Sequence, residues 1–161
     1  MDVLPTLLEA VHLPIPDNVQ GRSFLSLLQG KPHRGRDAVF AEKTFHDCYD
    51  PMRCIRTGRY KYIRYFEKSA VHRVPADALN GGASRELGHV QRKGVEELFD
   101  LEVDPHEQQD LSGDAAHAVV CQEMRARLAA WMKETGDPLL EGPVASPFYY
   151  RSIEGLVHAR A

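Results

Sequence analysis

The chain has 161 residues, 43% hydrophobic and 27% charged, which is long enough for one domain with its own core and ordinary for a soluble globular protein. Its net charge of -3 supplies no general basic field, so neither nucleic acid nor an anionic membrane is expected as a partner. No apolar run approaches the roughly 18 residues of a membrane helix, and no basic-then-apolar leader opens the chain; its compartment stays open.

The segment DVLPTLLEAV predicts a helix, with Pro5 in its first turn and Leu4, Leu7, Leu8 and Val11 along one face. LPIPDNVQG is a turn-rich connector. SFLSLLQG predicts a short helix with Ser23 as cap and Gly30 as stop. KPHRGRD, with His33, Arg34 and Arg36, reads as a solvated basic link.

Strands follow. AVFAE (38–42), MRCIRT (52–57) and YKYIRYF (60–66) have strand character, the last aromatic and β-branched. Gly58 and Arg59 fit a two-residue hairpin connection of type II′. The predicted loop before the hairpin carries His46, Asp47 and Asp50 and runs to Arg53 at the start of the second strand. Residues 67–94 lack periodicity and read as an excursion, with one helical stretch over Arg85 to Arg92. EELFDL (96–101) is a further strand, VDPHE a turn, and Asp110 and Leu111 close the link beyond it. Asp114 caps a long helix over about 115–135, with Val120, Met124, Leu128 and Trp131 as its buried stripe and Gly136 as its stop. The tail from Asp137 shows little pattern and is expected along a surface or partly disordered.

Strands in succession, then one long amphipathic helix, predict an α+β fold: a small antiparallel sheet of about four strands with the helix across one face. The first helix has no place in that layer.

Several side chains invite chemistry. Arg53 offers planar bidentate donors for sulfate or carboxylate, and His46 can donate to the same anion or to a sugar hydroxyl. Equally, His46 and Asp47 can satisfy each other in the loop while Arg53 pairs with a carboxylate across the sheet. His46, Asp47 and Asp50 match no defined metal loop. Cys48 beside His46 lacks a third orienting group, which argues against a nucleophile. Cys48, Cys54 and Cys121 make an odd count without metal-type spacing, so free thiols are expected. The alternating tyrosines 60, 62 and 65 read as core more than as a sugar platform. His106 and Glu107 read as turn residues.

Several segments, in chain order, resemble sulfatases of the alkaline-phosphatase-like superfamily. D-V-L-P-T-L-L at 2–8 is similar to the helix closing the large catalytic domain, and Q-G-R-S-F at 20–24 to the connector after it. V-F-A-E at 39–42, I-R-T-G-R-Y-K-Y-I at 55–63, E-L-F-D-L-E-V-D-P-H-E at 97–107 and T-G-D-P-L at 135–139 resemble the small C-terminal domain. H-D-C-Y-D-P-M-R at 46–53 and V-P-A-D-A-L at 74–79 most resemble the branch containing heparan N-sulfatase (N-sulfoglucosamine sulfohydrolase). Asp110 stands where the family usually has asparagine, a change that bears on the turn.

The resemblance implies residues 1–36 as the end of a catalytic domain with its connector, 37–140 as the C-terminal subdomain and 141–161 as a tail. It implies His46 and Arg53 as substrate-binding residues on the rim of a cleft, and no catalytic or metal-ligating residue here. The family's formylglycine nucleophile, matured within C/S-x-P-x-R, and its divalent metal, calcium, lie upstream; C-Y-D-P-M-R at 48–53 has one residue too many to be that motif. The implied partners are the sulfatase catalytic domain and a sulfated saccharide. A chain of this kind is expected to be inactive alone. A non-catalytic module binding sulfated glycans, or one half of a split sulfatase, are the alternatives.

Overall fold

The computed structural model describes residues 1–45, 49–67 and 94–157. The chain divides into two compact units, Met1–Asp37 and Ala38–Ala161. The expected helical stretch at 85–92 and the V-P-A-D-A-L segment lie outside the described residues.

In the first unit, helix α1 spans Val3–Ala10 and helix α2 spans Leu25–Leu28. The Thr6 hydroxyl ties them together, donating to the Asp2 carbonyl at 2.7 Å and accepting from the Phe24 amide at 3.0 Å. Arg36 does more than sit in solvent: it binds the Asp2 carboxylate at 2.7 Å and so closes the unit. That guanidinium, with the Arg22 amide, holds the Asp2 carboxyl below its usual range. Gly21 is required by contact, because a Cβ there would lie 2.2 Å from the Met1 carbonyl oxygen. Gly30 takes φ 69°, as expected of the helix stop, whereas the N-cap is Phe24 and not Ser23, which stands one residue earlier with its Oγ accepting from the Leu25 amide. The apolar stripe of α1 is largely exposed, in keeping with a helix that has no place in the sheet layer. Pro5 and Thr6 are its buried residues, while Leu4, Leu7 and Val11 are all more than half exposed.

The second unit is α+β. Strands β1 (Ala38–Phe45), β2 (Tyr49–Thr57), β3 (Tyr60–Tyr65) and β4 (Glu96–Asp100) form one sheet in that order, each pair antiparallel. Helix α3 (Ala118–Glu134) packs on one face. Register places Phe40, Ile55, Tyr62 and Leu98 in a single cross-strand row. Ile55, Tyr62 and Leu98 are fully buried there against Cys121, Met124, Leu128 and Met132 of α3. The predicted stripe is therefore one position off at both ends. Val120 and Trp131 flank the seam, and the Trp131 ring stacks on Phe40 with centroids 4.9 Å apart. Side chains one apart on a helix straddle its buried line, so either can read as the seam.

Four further local features follow from sequence chemistry. The 57–60 hairpin forms as expected, but Gly58 does not adopt positive φ, so the turn is not type II′. The Thr57 hydroxyl closes it instead, accepting from the Tyr60 amide and donating to the Tyr60 carbonyl. Asp114 accepts from the Ala116 amide and caps a short 3-10 turn that leads into α3. After α3, Gly136 takes φ 63°, the Gly136 amide reaches the Lys133 carbonyl and the Asp137 amide reaches Met132, a Schellman stop. The tail also departs from expectation: a 3-10 turn over Pro138–Leu140 is followed by helix α4 (Pro147–Val157). Pro147 at its first position and Ser146 Oγ accepting from the Tyr149 amide supply an ordinary start signal.

Candidate functional site

The interest lies where β1 hands over to β2. Both strands run past their predicted ends, so Asp50 and Arg53 stand on β2 itself. Pro51 cannot donate to the ladder, but it sits near the strand start and its carbonyl accepts from the Phe66 amide. The pairing register shifts between Lys43 and Phe45. Residues 46–48, including His46, Asp47 and Cys48, lie outside the described residues.

The residues flanking that connection are held together. Lys43 pairs with Asp50 at 2.6 Å. The Phe45 and Tyr49 rings lie 5.1 Å apart, and the Tyr49 hydroxyl accepts from the Val144 amide at 3.0 Å. Arg53 is the centre of the group and its side chain is only 2% exposed. Its Nε and one Nη grip both carboxylate oxygens of Asp137, at 2.5 and 3.0 Å. The other Nη donates to the carbonyls of Lys43 and Met52, and the remaining N–H to Thr44 Oγ1. All five guanidinium donors thus have acceptors. Burial alone would raise the Asp137 carboxyl, but the Arg53 guanidinium and the Leu139 amide together hold it below the usual carboxylate range.

Two other clusters frame the sheet. Glu96 on β4 accepts from the Tyr62 hydroxyl, from Arg64 and from two nitrogens of Arg125 on α3. Burial acts to raise Glu96, yet those donors keep it below its ordinary value. The same burial and the same carboxylate push the Tyr62 hydroxyl up to about 12. At the hairpin, Arg59 holds Asp100 through both carboxylate oxygens. Beside it the D-P-H-E turn is structural: Glu107 pairs with Lys61, and Asp110 accepts from the amides of Leu98 and Ser112. Asp110 thereby does what an asparagine oxygen would.

Neither described cysteine is an activated thiol, since burial pushes both Cys54 and Cys121 up. Among the described residues no group of three or more His, Cys, Asp or Glu is arranged to hold a metal ion. The donors for the divalent metal that the resemblance implies are thus not found among the described residues. Also among the described residues, no helix is long and apolar enough to cross a membrane. The sequence reading singled out Arg53 but missed Asp137, Tyr49 and Lys43. In the sequence Asp137 is only the first residue of the tail and part of the T-G-D-P-L resemblance.

Residues 1–76 match the family model described as N-sulphoglucosamine sulphohydrolase, C-terminal. The chain belongs to the sulfatase family, as its C-terminal region. An ulvan-active sulfatase of Formosa agariphila is 33% identical over 153 residues, covering 91% of this chain and 31% of that protein. The human N-sulphoglucosamine sulphohydrolase is 26% identical over 89% of this chain and 34% of its own length. A solved 2-O GAG sulfatase superposes with a TM-score of 0.65 at 26% identity, over 91% of this chain and 27% of that one. The sulfatase-family chain therefore spans about a third of the curated relatives it matches, and its similarity is to their C-terminal portion.

Proposed function

We propose that the chain is the C-terminal region of a sulfatase acting on sulfated sugars, and that its part is to build the rim of the substrate cleft, not to perform the hydrolysis. The observation that carries this is the match along 91% of the chain to a sulfatase of which the match covers 31%. The sulfated polysaccharides and sugars named for the relatives support sulfated sugars as the substrate class.

In this reading His46 is the direct contact with the sulfated sugar. Arg53 contributes by holding the ends of β1 and β2, because a direct anion contact would take a donor from one of its five present acceptors. The nucleophile, the divalent metal and the cationic groups that stabilise developing charge on the sulfate belong to the catalytic domain, the region's proposed partner. The exposed residues Leu4, Leu7 and Val11 on α1 favour such a partner surface, whether in the same chain or as the other half of a split enzyme, over a free-standing module.

The isolated chain should show no turnover of an aryl sulfate or a sulfamate with calcium added; metal-dependent turnover would overturn the reading. It should bind a sulfated disaccharide better than its desulfated counterpart, and His46→Ala should weaken that binding. Equal affinity for the two sugars counts against a sulfate-facing rim.

A further inference from the structure

Both flanks of the connection between β1 and β2 are tied to one distant segment. Arg53 joins Asp137 across 84 positions of sequence, and Tyr49 joins Val144 across 95. Asp137 is itself fixed three ways. Its backbone amide closes the Schellman stop of α3, its side chain caps the following 3-10 turn through the Leu139 amide, and its carboxylate is 2% exposed against Arg53. Arg53 carries that fixation onto the last residues of β1, through the Lys43 carbonyl and Thr44 Oγ1, and onto β2 through Met52. The grip falls where the β1–β2 register shifts, so ladder hydrogen bonds alone do not set the geometry there.

We propose that Asp137 is a positioning residue for the cleft rim: the segment after α3 reaches back through Arg53 and fixes the ends of β1 and β2, Lys43–Phe45 and Tyr49–Arg53, on which the rim is built. Val144, through Tyr49, is the second tether of the same brace. Their bearing on substrate rests on the function proposed above, although the brace itself does not. The Arg53 fork suits the task because a planar guanidinium can hold a carboxylate on one side and three further acceptors on the others. A lysine supplies only three donors from one point.

Hydrogen exchange on the full chain tests this. Asp137→Asn keeps the Leu139 cap but removes the charge. Exchange should quicken by about tenfold at the protected amides within Lys43–Phe45 and Tyr49–Arg53, while Tyr62 and Leu98 keep their protection. Arg53→Lys, which retains the charge and loses the fork, should give the same local pattern. Tyr49→Phe, which leaves the buried pair intact and removes only the outer tether, covers the case in which Asp137→Asn does not fold; it should loosen Tyr49–Arg53 by a smaller factor. No change, or an equal change across all four strands, would overturn the brace. Binding of a sulfated disaccharide is the second arm, where Asp137→Asn should weaken affinity without any contact to sugar. A wild-type chain that fails to prefer the sulfated sugar sinks the function, and the exchange result still decides the brace.

Discussion

The stretch from Arg53 on β2 to Arg59 in the hairpin carries the same chemistry at its two ends, in opposite settings. At one end Arg53 and Asp137 are each 2% exposed; at the other, Arg59 is 52% exposed over an Asp100 that is 3% exposed. Both arginines hold both oxygens of an aspartate. The buried pair has no water to fall back on, so its strength lies in what its loss would leave behind. The hairpin pair lets the arginine side stay hydrated, and a two-residue turn with its own Thr57 closure already fixes the chain there. A bidentate ion pair therefore means little until one asks what would solvate each partner without it.

The sharpest way to break that contrast is Asp137→Ala. It strands the Arg53 charge in the interior and should cost about 3–5 kcal/mol in urea unfolding. A loss near 1 kcal/mol or less would place the pair with ordinary surface bridges and remove the distinction between the two ends.

Next in size is the core row that the two ends share. Leu98→Ala opens a cavity between β4 and α3 and should cost about 2–5 kcal/mol, because Leu98 is fully buried beside Tyr62 and Leu128. Since the core serves both ends alike, Leu98→Ala combined with Asp137→Ala is expected to be near-additive. Strong coupling would mean that the brace and the core are one unit.

Acid sharpens the comparison further. Asp137, Asp100 and Glu96 all have carboxyls held below their ordinary values in the fold. A carboxyl depressed on folding adds stability that is complete above its unfolded value and is lost as pH falls through its folded one. The unfolded values are 3.8 for the aspartates and 4.5 for Glu96, so unfolding midpoints should hold steady through neutral pH and fall below about pH 4.5. Tyr62 acts at the other extreme. Its hydroxyl is pushed from 10.0 to about 12, so its contribution is complete below pH 10 and is lost as pH rises toward 12. Tyr62→Phe should remove the alkaline loss and leave the acid one; an alkaline limb that survives the change would have to come from another group.

The hairpin end was legible in sequence and the braced end was not. A glycine between two β-rich runs announces a turn within four residues, although its type went astray because the Thr57 hydroxyl took over the closing bonds. Helix α3 announced itself by an acidic cap, an apolar period and a left-handed glycine, all local signals. The D-P-H-E turn was readable because Asp110 and Leu111 act on Leu98 close by in sequence. Asp137 and Arg53 lie 84 positions apart, and neither leaves a periodic trace. The two motifs carrying them, D-P-M-R and T-G-D-P-L, were each recognised by resemblance with no hint that they meet. Proline at 51 hid the start of β2, and three prolines in the tail drew attention from the Ser146–Pro147 start of α4. The family could be read from ordered motifs, while the load carried by individual charges depends on burial that only the folded chain reveals.

Arg59→Ala should have the smallest effect, and its value lies in how that effect responds to salt. Half of the Arg59 side chain is in water, so the mutant should lose little stability at low ionic strength. In about 1 M salt, where the screening length falls to about 3 Å, the remaining difference from wild type should vanish. Asp137→Ala should keep its full cost in the same salt, because ions do not reach a pair buried between β2 and the turn after α3. Thermal melts of both variants at low and high salt therefore separate the two ends by sensitivity as well as by size. If Arg59→Ala were as costly as Asp137→Ala and equally indifferent to salt, exposure would not be what divides them, and the turn geometry around Asp100 would have to carry the difference instead.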